Sequence, residues 1–135
     1  MAITITVYHN PDCETSCNVV QLLEQAGHSP LVVKYLEVGW TRELLDFLFS
    51  NSGLTARQAL RDTKSPAKEM GLLDISIGDD ILFARMLECP VLVNRPFVVV
   101  EKNEGEVVGV LAVKLCRPSS SVEEVIKTIE RSMCV

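Results

Sequence analysis

The chain opens with apolar Ile3, Ile5 and Val7 alternating with Thr4, Thr6 and Tyr8, a β-branched period of two that predicts a strand over residues 3–8. His9-Asn10-Pro11 ends it. From Glu14 the period lengthens. Val19, Val20, Leu22, Leu23 and Ala26 fall on one helical stripe, and Gly27 supplies the stop, so a helix is predicted over residues 14–26. Leu31-Val32-Val33-Lys34-Tyr35-Leu36 reads as a second strand. Together these form a strand, helix, strand unit with a right-handed parallel crossover.

Between Thr41 and Pro90 the pattern breaks into short helices. They are predicted over residues 42–50 after a Thr41 cap, 56–61 after Thr55, 66–70 after Ser65 and 80–87 after Asp79. Residues 97–100 and 107–113 are strands joined across Lys102-Asn103-Glu104-Gly105, whose Asn and Gly suit a short hairpin turn. A closing helix begins near Ser121, where Ser-Val-Glu-Glu has the form of a capping box with Glu124, and Val122, Val125, Ile126 and Ile129 share one side. No repeat, low-complexity tract or linker is visible. The expected class is α/β: a thioredoxin-like βαβ-ββα arrangement with a mixed sheet, a helical insert over about residues 41–90, and one domain spanning residues 1–135.

Composition narrows what such a domain can do. With 135 residues, 47% hydrophobic and 23% charged, the chain has enough apolar material for one core and lacks the signature of disorder. A net charge of -5 argues against a binder of nucleic-acid backbones, which clusters Lys and Arg to displace counterions. No apolar run reaches membrane-spanning length and the start of the chain lacks a leader pattern, so a cytosolic protein with no membrane partner is expected. Five cysteines (Cys13, Cys17, Cys89, Cys116 and Cys134) are an odd number in a chain that needs no staples, and thiols are expected rather than a disulfide framework.

Cys13 stands in the turn from first strand to first helix, where unpaired backbone N–H groups and the helix dipole favour an anion. A thiol there titrates at roughly 3.5 to 7.5 instead of about 8.5. His9, four residues earlier, could assist when protonated. The bland alternative is a small buried cysteine. Cys17 follows at C-x3-C spacing, where Cβ atoms about 5 to 6 Å apart exceed the roughly 3.8 Å of an unstrained disulfide, leaving inert packing and a resolving thiol both open. Arg61, Arg95 and Arg117 could face the first turn, and paired guanidinium donors suit tetrahedral oxyanions; taken alone, each is more commonly a solvated or salt-bridged surface group. Arg95-Pro96 opens a strand and is a candidate cis bond beside the active thiol of a thioredoxin-like fold.

His9-Asn10-Pro11-Asp12-Cys13-Glu14-Thr15-Ser16 closely resembles the H-N-P-x-C-x-T-S segment of the glutaredoxin-linked arsenate reductases. Arg57-Gln58-Ala59-Leu60-Arg61, Pro90-Val91-Leu92-Val93-Asn94-Arg95-Pro96 and Leu115-Cys116-Arg117-Pro118-Ser119 are similar to that family's later signatures, in the same order. The resemblance implies that Cys13 attacks arsenate while Arg61, Arg95 and Arg117 hold the oxyanion and its reduced product. It also implies that glutathione then attacks the adduct as co-substrate and that glutaredoxin removes it to release arsenite. No tightly bound cofactor and no metal are expected. The chain departs from the family at Cys17, where an arginine usually follows Thr-Ser. The departure removes a cation that would help ionise Cys13 and offers a second thiol that could supply the resolving step, which would favour a thioredoxin-type donor; glutaredoxin and thioredoxin both stay open. The rival class is the Spx transcription regulators, which share the architecture, dock on RNA polymerase and use a C-x2-C redox pair. The His-Asn-Pro lead and three arginines favour the enzyme.

Overall fold

A computed structural model of the chain describes residues 2–133. Four strands, β1 (Ala2–His9), β2 (Leu31–Lys34), β3 (Phe97–Glu104) and β4 (Val107–Leu115), form one mixed sheet in the order β2-β1-β3-β4. Among the described residues six α-helices accompany them: α1 (Glu14–Gln25), α2 (Tyr35–Val38), α3 (Arg42–Ser52), α4 (Ala56–Ala59), α5 (Asp79–Glu88) and α6 (Val122–Met133). Pro90–Leu92 and Ser119–Ser121 are single 3-10 turns. The chain divides into two compact units, one built from Met1–Lys34 with Arg95–Val135 and the other from Tyr35–Asn94.

The first unit follows the expected pattern. β1 and β2 are parallel, with Val7 opposite Val32, and β1 and β3 are antiparallel, with Ile5 opposite Val100 and Val7 opposite Val98. Those four β1 and β3 residues share one face of the pleat, and Val19 and Leu23 of α1 join Val122, Val125 and Ile129 of α6 in the same buried cluster. Each fully buried branched side chain contributes about 1.5–3 kcal/mol, so this cluster is the main anchor of the sheet that carries the first turn. α1 ends in a Schellman arrangement, with the His28 N–H on the Leu23 carbonyl and the Gly27 N–H on that of Glu24, and Gly27 takes the positive φ (90°) that this motif requires.

Several local expectations are corrected. The second strand stops at Lys34, because Tyr35 and Leu36 begin the short helix α2. The hairpin strands run on through Glu104, which lies opposite Val107, so the turn is only Gly105-Glu106, with Gly105 at φ 63°. At Ser121 the capping box does not form: its N–H donates to the Pro118 carbonyl (2.9 Å), and the Glu124 carboxylate accepts from Lys114 Nζ (2.9 Å).

The second unit holds the short helices. Thr41 caps α3 by accepting from the Leu44 N–H (3.2 Å), and Thr55 with Gln58 makes a full capping box on α4. That helix is shorter than expected, since Leu60 leaves it to bridge Val93. Residues 66–70 form turns rather than a helix, and α5 begins at Asp79 with Gly78 as its N-cap, so Asp79 does not cap it. Those turns close on their own backbone, and the segment after them is held from outside: the Arg57 guanidinium donates to the carbonyls of Leu72, Asp74 and Ile77, satisfying groups that a continuing helix would have paired internally. Trp40 stacks on Tyr35 (ring centroids 4.8 Å apart) and donates its indole N–H to the Pro90 carbonyl.

A thiol at the first turn

The turn after β1 is a small hydrogen-bonded machine built from His-Asn-Pro. The Asn10 side-chain oxygen accepts from the Asp12 N–H (2.9 Å), and its carbonyl accepts from the Cys13 N–H (3.0 Å). This folds the chain back and delivers Cys13 as the extended N-cap residue of α1. Proline at position 11 needs no donor partner there. Ser16, fully buried, sits one turn further on. Its Oγ accepts from the Asn10 N–H (3.1 Å) and lies 2.6 Å from His9 Nδ1. His9 is held below the usual imidazole range, first by burial and then by the charge of Lys34. A neutral ring accepts the Ser16 hydroxyl proton at Nδ1. The structure therefore joins His9 to Ser16.

Cys13 is 7% exposed. Burial raises its thiol pKa, but the Ser16 backbone N–H, the charge of Arg95 and hydrogen bonds from Arg95 and Arg117 outweigh it, and the thiol titrates below its ordinary value. Arg117 Nη1 lies 3.8 Å from Cys13 Sγ and also donates to the Arg95 carbonyl (3.0 Å). Arg95 is 5% exposed. Both Arg95-Pro96 and Arg117-Pro118 are cis; the first was expected from the sequence and the second was not. Two of the three candidate arginines thus meet at the candidate nucleophile, within one unit.

Arg61 belongs to the second unit. It is 6% exposed, its N–H donates to the Leu92 carbonyl (2.7 Å), and its Nη1 donates to Asn94 Oδ1 (3.3 Å). Cys17 is exposed and its thiol donates to the Pro11 carbonyl (3.3 Å), in a shallow depression that also includes His9, Val20, Gln21 and Glu24. Cys13 and Cys17 are both free, with separate partners for their sulfurs. Cys116, at the end of β4, is completely buried and burial pushes its thiol up to about 12. Cys89 is half-buried; Cys134 lies outside the described residues. Among the described residues no three His, Cys, Asp or Glu side chains gather where they could hold a metal ion, and no helix is long and apolar enough to cross a membrane.

Ser16 and Asn94 were not singled out from the sequence. Ser16 was readable only as part of a motif, since its role depends on a buried contact seven residues back. Asn94 touches Arg61 across 33 positions, which no local pattern records.

A mixed α/β sheet that presents a helix-start thiol to two arginines defines a thioredoxin-like, thiol-chemistry protein. The chain belongs to the ArsC family, whose family model matches residues 8–125. An arsenate reductase of Synechocystis sp. is 48% identical over 118 residues, covering 87% of this chain and 78% of the relative. One from Rhizobium meliloti is 42% identical over 124 residues, covering 92% and 82%. Among solved structures, an arsenate reductase from Vibrio cholerae superposes with a TM-score of 0.77 at 36% identity, covering 93% of this chain and 99% of that one.

Proposed function

We propose that this chain is an arsenate reductase that works in the cytoplasm as one domain, with Cys13 as the nucleophile and Arg61, Arg95 and Arg117 as the groups that hold the oxyanion. The observation that carries the reading is the Cys13 thiol, nearly buried yet pushed toward its thiolate by the Ser16 N–H and two arginines. A thiolate is the attacking form, and cations beside it stabilise negative charge on the oxygens of a tetrahedral anion. The curated relatives, named arsenate reductases, weigh for the enzyme over a polymerase-docking regulator.

The chemistry balances with two thiols. Cys13 Sγ forms a bond to arsenic while one arsenate oxygen leaves as water after protonation. A second thiolate then takes up the oxidised sulfur: an S–S bond forms, the S–As bond breaks, and its electron pair reduces As(V) to As(III), released as arsenite. No tightly bound cofactor enters. The second thiol is either glutathione, with glutaredoxin completing the cycle, or Cys17, with a thioredoxin-type dithiol restoring the pair. His9 acts by fixing the Ser16 hydroxyl, which keeps the Ser16 N–H aimed at Cys13.

The test is arsenate turnover with glutathione plus glutaredoxin, set against thioredoxin plus its reductase. The reading expects arsenite production with at least one pair. Absence of arsenite with both, from folded and reduced protein, would remove it.

A further inference from the structure

We propose that Asn94 is a positioning residue for Arg61, setting its guanidinium for oxyanion binding through a neutral oxygen that does not cancel its charge. The inference rests on the reading of Arg61 as an oxyanion ligand. Three contacts carry it. Leu60 and Val93 pair as an antiparallel bridge, flanked on one side by the Arg61 N–H on the Leu92 carbonyl (2.7 Å) and on the other by the Asn94 N–H on the Ala59 carbonyl (2.8 Å). This two-strand clamp fixes both backbones. The Asn94 side chain then accepts from Arg61 Nη1 (3.3 Å), so the guanidinium of a residue only 6% exposed is held from a rigid platform.

The chemistry of the acceptor matters. A guanidinium has only donors, so the amide must turn its oxygen toward it, and that oxygen carries a partial charge instead of a full one. A carboxylate of the same shape would bind Arg61 more strongly and compete with an incoming anion for the same fork. Asn94 therefore orders the cation without itself neutralising it. The next residue in the chain is Arg95, so one backbone segment supplies the support for one arginine and carries another.

The ordering of two substitutions separates this role from a merely structural one. Asn94→Asp keeps size and acceptor; Asn94→Ala removes both. If Asn94 were simply a bracket, Asp would be the milder change. On the proposal Asp is the harsher one. Arsenate KM and kcat are measured for both variants in the unmodified and Arg61→Ala backgrounds, with thermal unfolding as a control for the fold. The expected result is a rise in arsenate KM of about 3- to 10-fold for Asn94→Ala, a larger rise for Asn94→Asp, little change in kcat, and no further effect of either once Arg61 is Ala. Should Asn94→Ala lose its fold, the isosteric Asn94→Asp carries the test alone, through its KM rise and the loss of that rise with Arg61→Ala. A KM unchanged by Asn94→Asp, a milder effect of Asp than of Ala, or equal effects in both backgrounds would overturn the proposal. If Arg61→Ala itself leaves arsenate KM unchanged, the underlying reading of Arg61 fails instead.

Discussion

Cys13 and Cys116 are both buried thiols of the same unit, 7% and 0% exposed, yet the first titrates below its ordinary value and the second is pushed up to about 12. Burial opposes ionisation at both. What differs is the company each keeps. Cys13 opens a helix, where the Ser16 N–H, Arg95 and Arg117 converge on its sulfur. Cys116 follows directly on a strand, and its thiol has the Lys114 carbonyl at 3.8 Å, an acceptor that favours the protonated form. A lowered thiol pKa is therefore made by the donors aimed at it, and burial serves to strengthen those donors once they are in place.

The largest effect expected from breaking this contrast is at Cys13. Cys13→Ser should abolish arsenate reduction while leaving the thermal midpoint within a few degrees, because a hydroxyl does not ionise at neutral pH. Turnover measured on the folded variant checks this, and retained turnover would remove Cys13 as nucleophile. Next comes Arg95→Ala, which deletes a charged hydrogen bond worth about 1.5 to 3 kcal/mol. Oxyanion affinity measured by calorimetry should fall roughly 10- to 150-fold. Arg95→Lys should recover only part of it, since lysine keeps the charge but loses the planar fork.

Cys17→Ser sharpens the comparison from the other side. Cys17 is exposed and its sulfur is engaged with Pro11, so a bridge to Cys13 requires the first turn of α1 to open. If it resolves the intermediate, its loss should slow thioredoxin-supported turnover several-fold more than glutaredoxin-supported turnover. Peptide mapping of arsenate-treated protein should then find the linked pair. Equal rates with both donors would leave it a surface thiol.

The smallest effect on activity is expected at Cys116. Cys116→Ser should keep near-normal turnover, and loss of turnover in the folded variant would contradict its inert assignment. The two thiols should nonetheless tilt stability in opposite directions with pH. Cys13 has its pKa depressed on folding, so its contribution is present above the unfolded thiol value and fades as pH falls through the lowered one. Cys116 has its pKa raised, so its contribution is complete below the unfolded value near 9.0 and is lost as pH climbs toward about 12. Thermal unfolding at alkaline pH should show that loss reduced in Cys116→Ser.

The sheet unit was legible in the sequence because its signals are local. Alternation marks β1, the stripe and Gly27 mark α1, and Cys13 falls between them, so the candidate thiol and its helix start could be read within 25 residues. The stretch from Leu72 to Gly78 was not, because it is held by a distant side chain. Arg57 gathers the carbonyls of Leu72, Asp74 and Ile77, and no periodicity records such a bond. Ser121 failed for a nearer reason: the Pro118 carbonyl competes for its N–H, and Lys114 claims Glu124. Among the site residues, Arg95 and Arg117 were read from motifs and meet at Cys13, whereas the supports Ser16 and Asn94 are defined by contacts that appear only once the chain has folded.

The central claim is that donors, not exposure, ionise Cys13. The most direct measurement is the pH dependence of Cys13 alkylation by iodoacetamide, followed by peptide mass spectrometry in the unmodified protein and in Arg95→Ala. The account predicts a midpoint below the ordinary thiol value of about 8.5 in the first and an upward shift in the second. A midpoint at or above that value in the unmodified protein, or one that Arg95→Ala leaves unmoved, would contradict it.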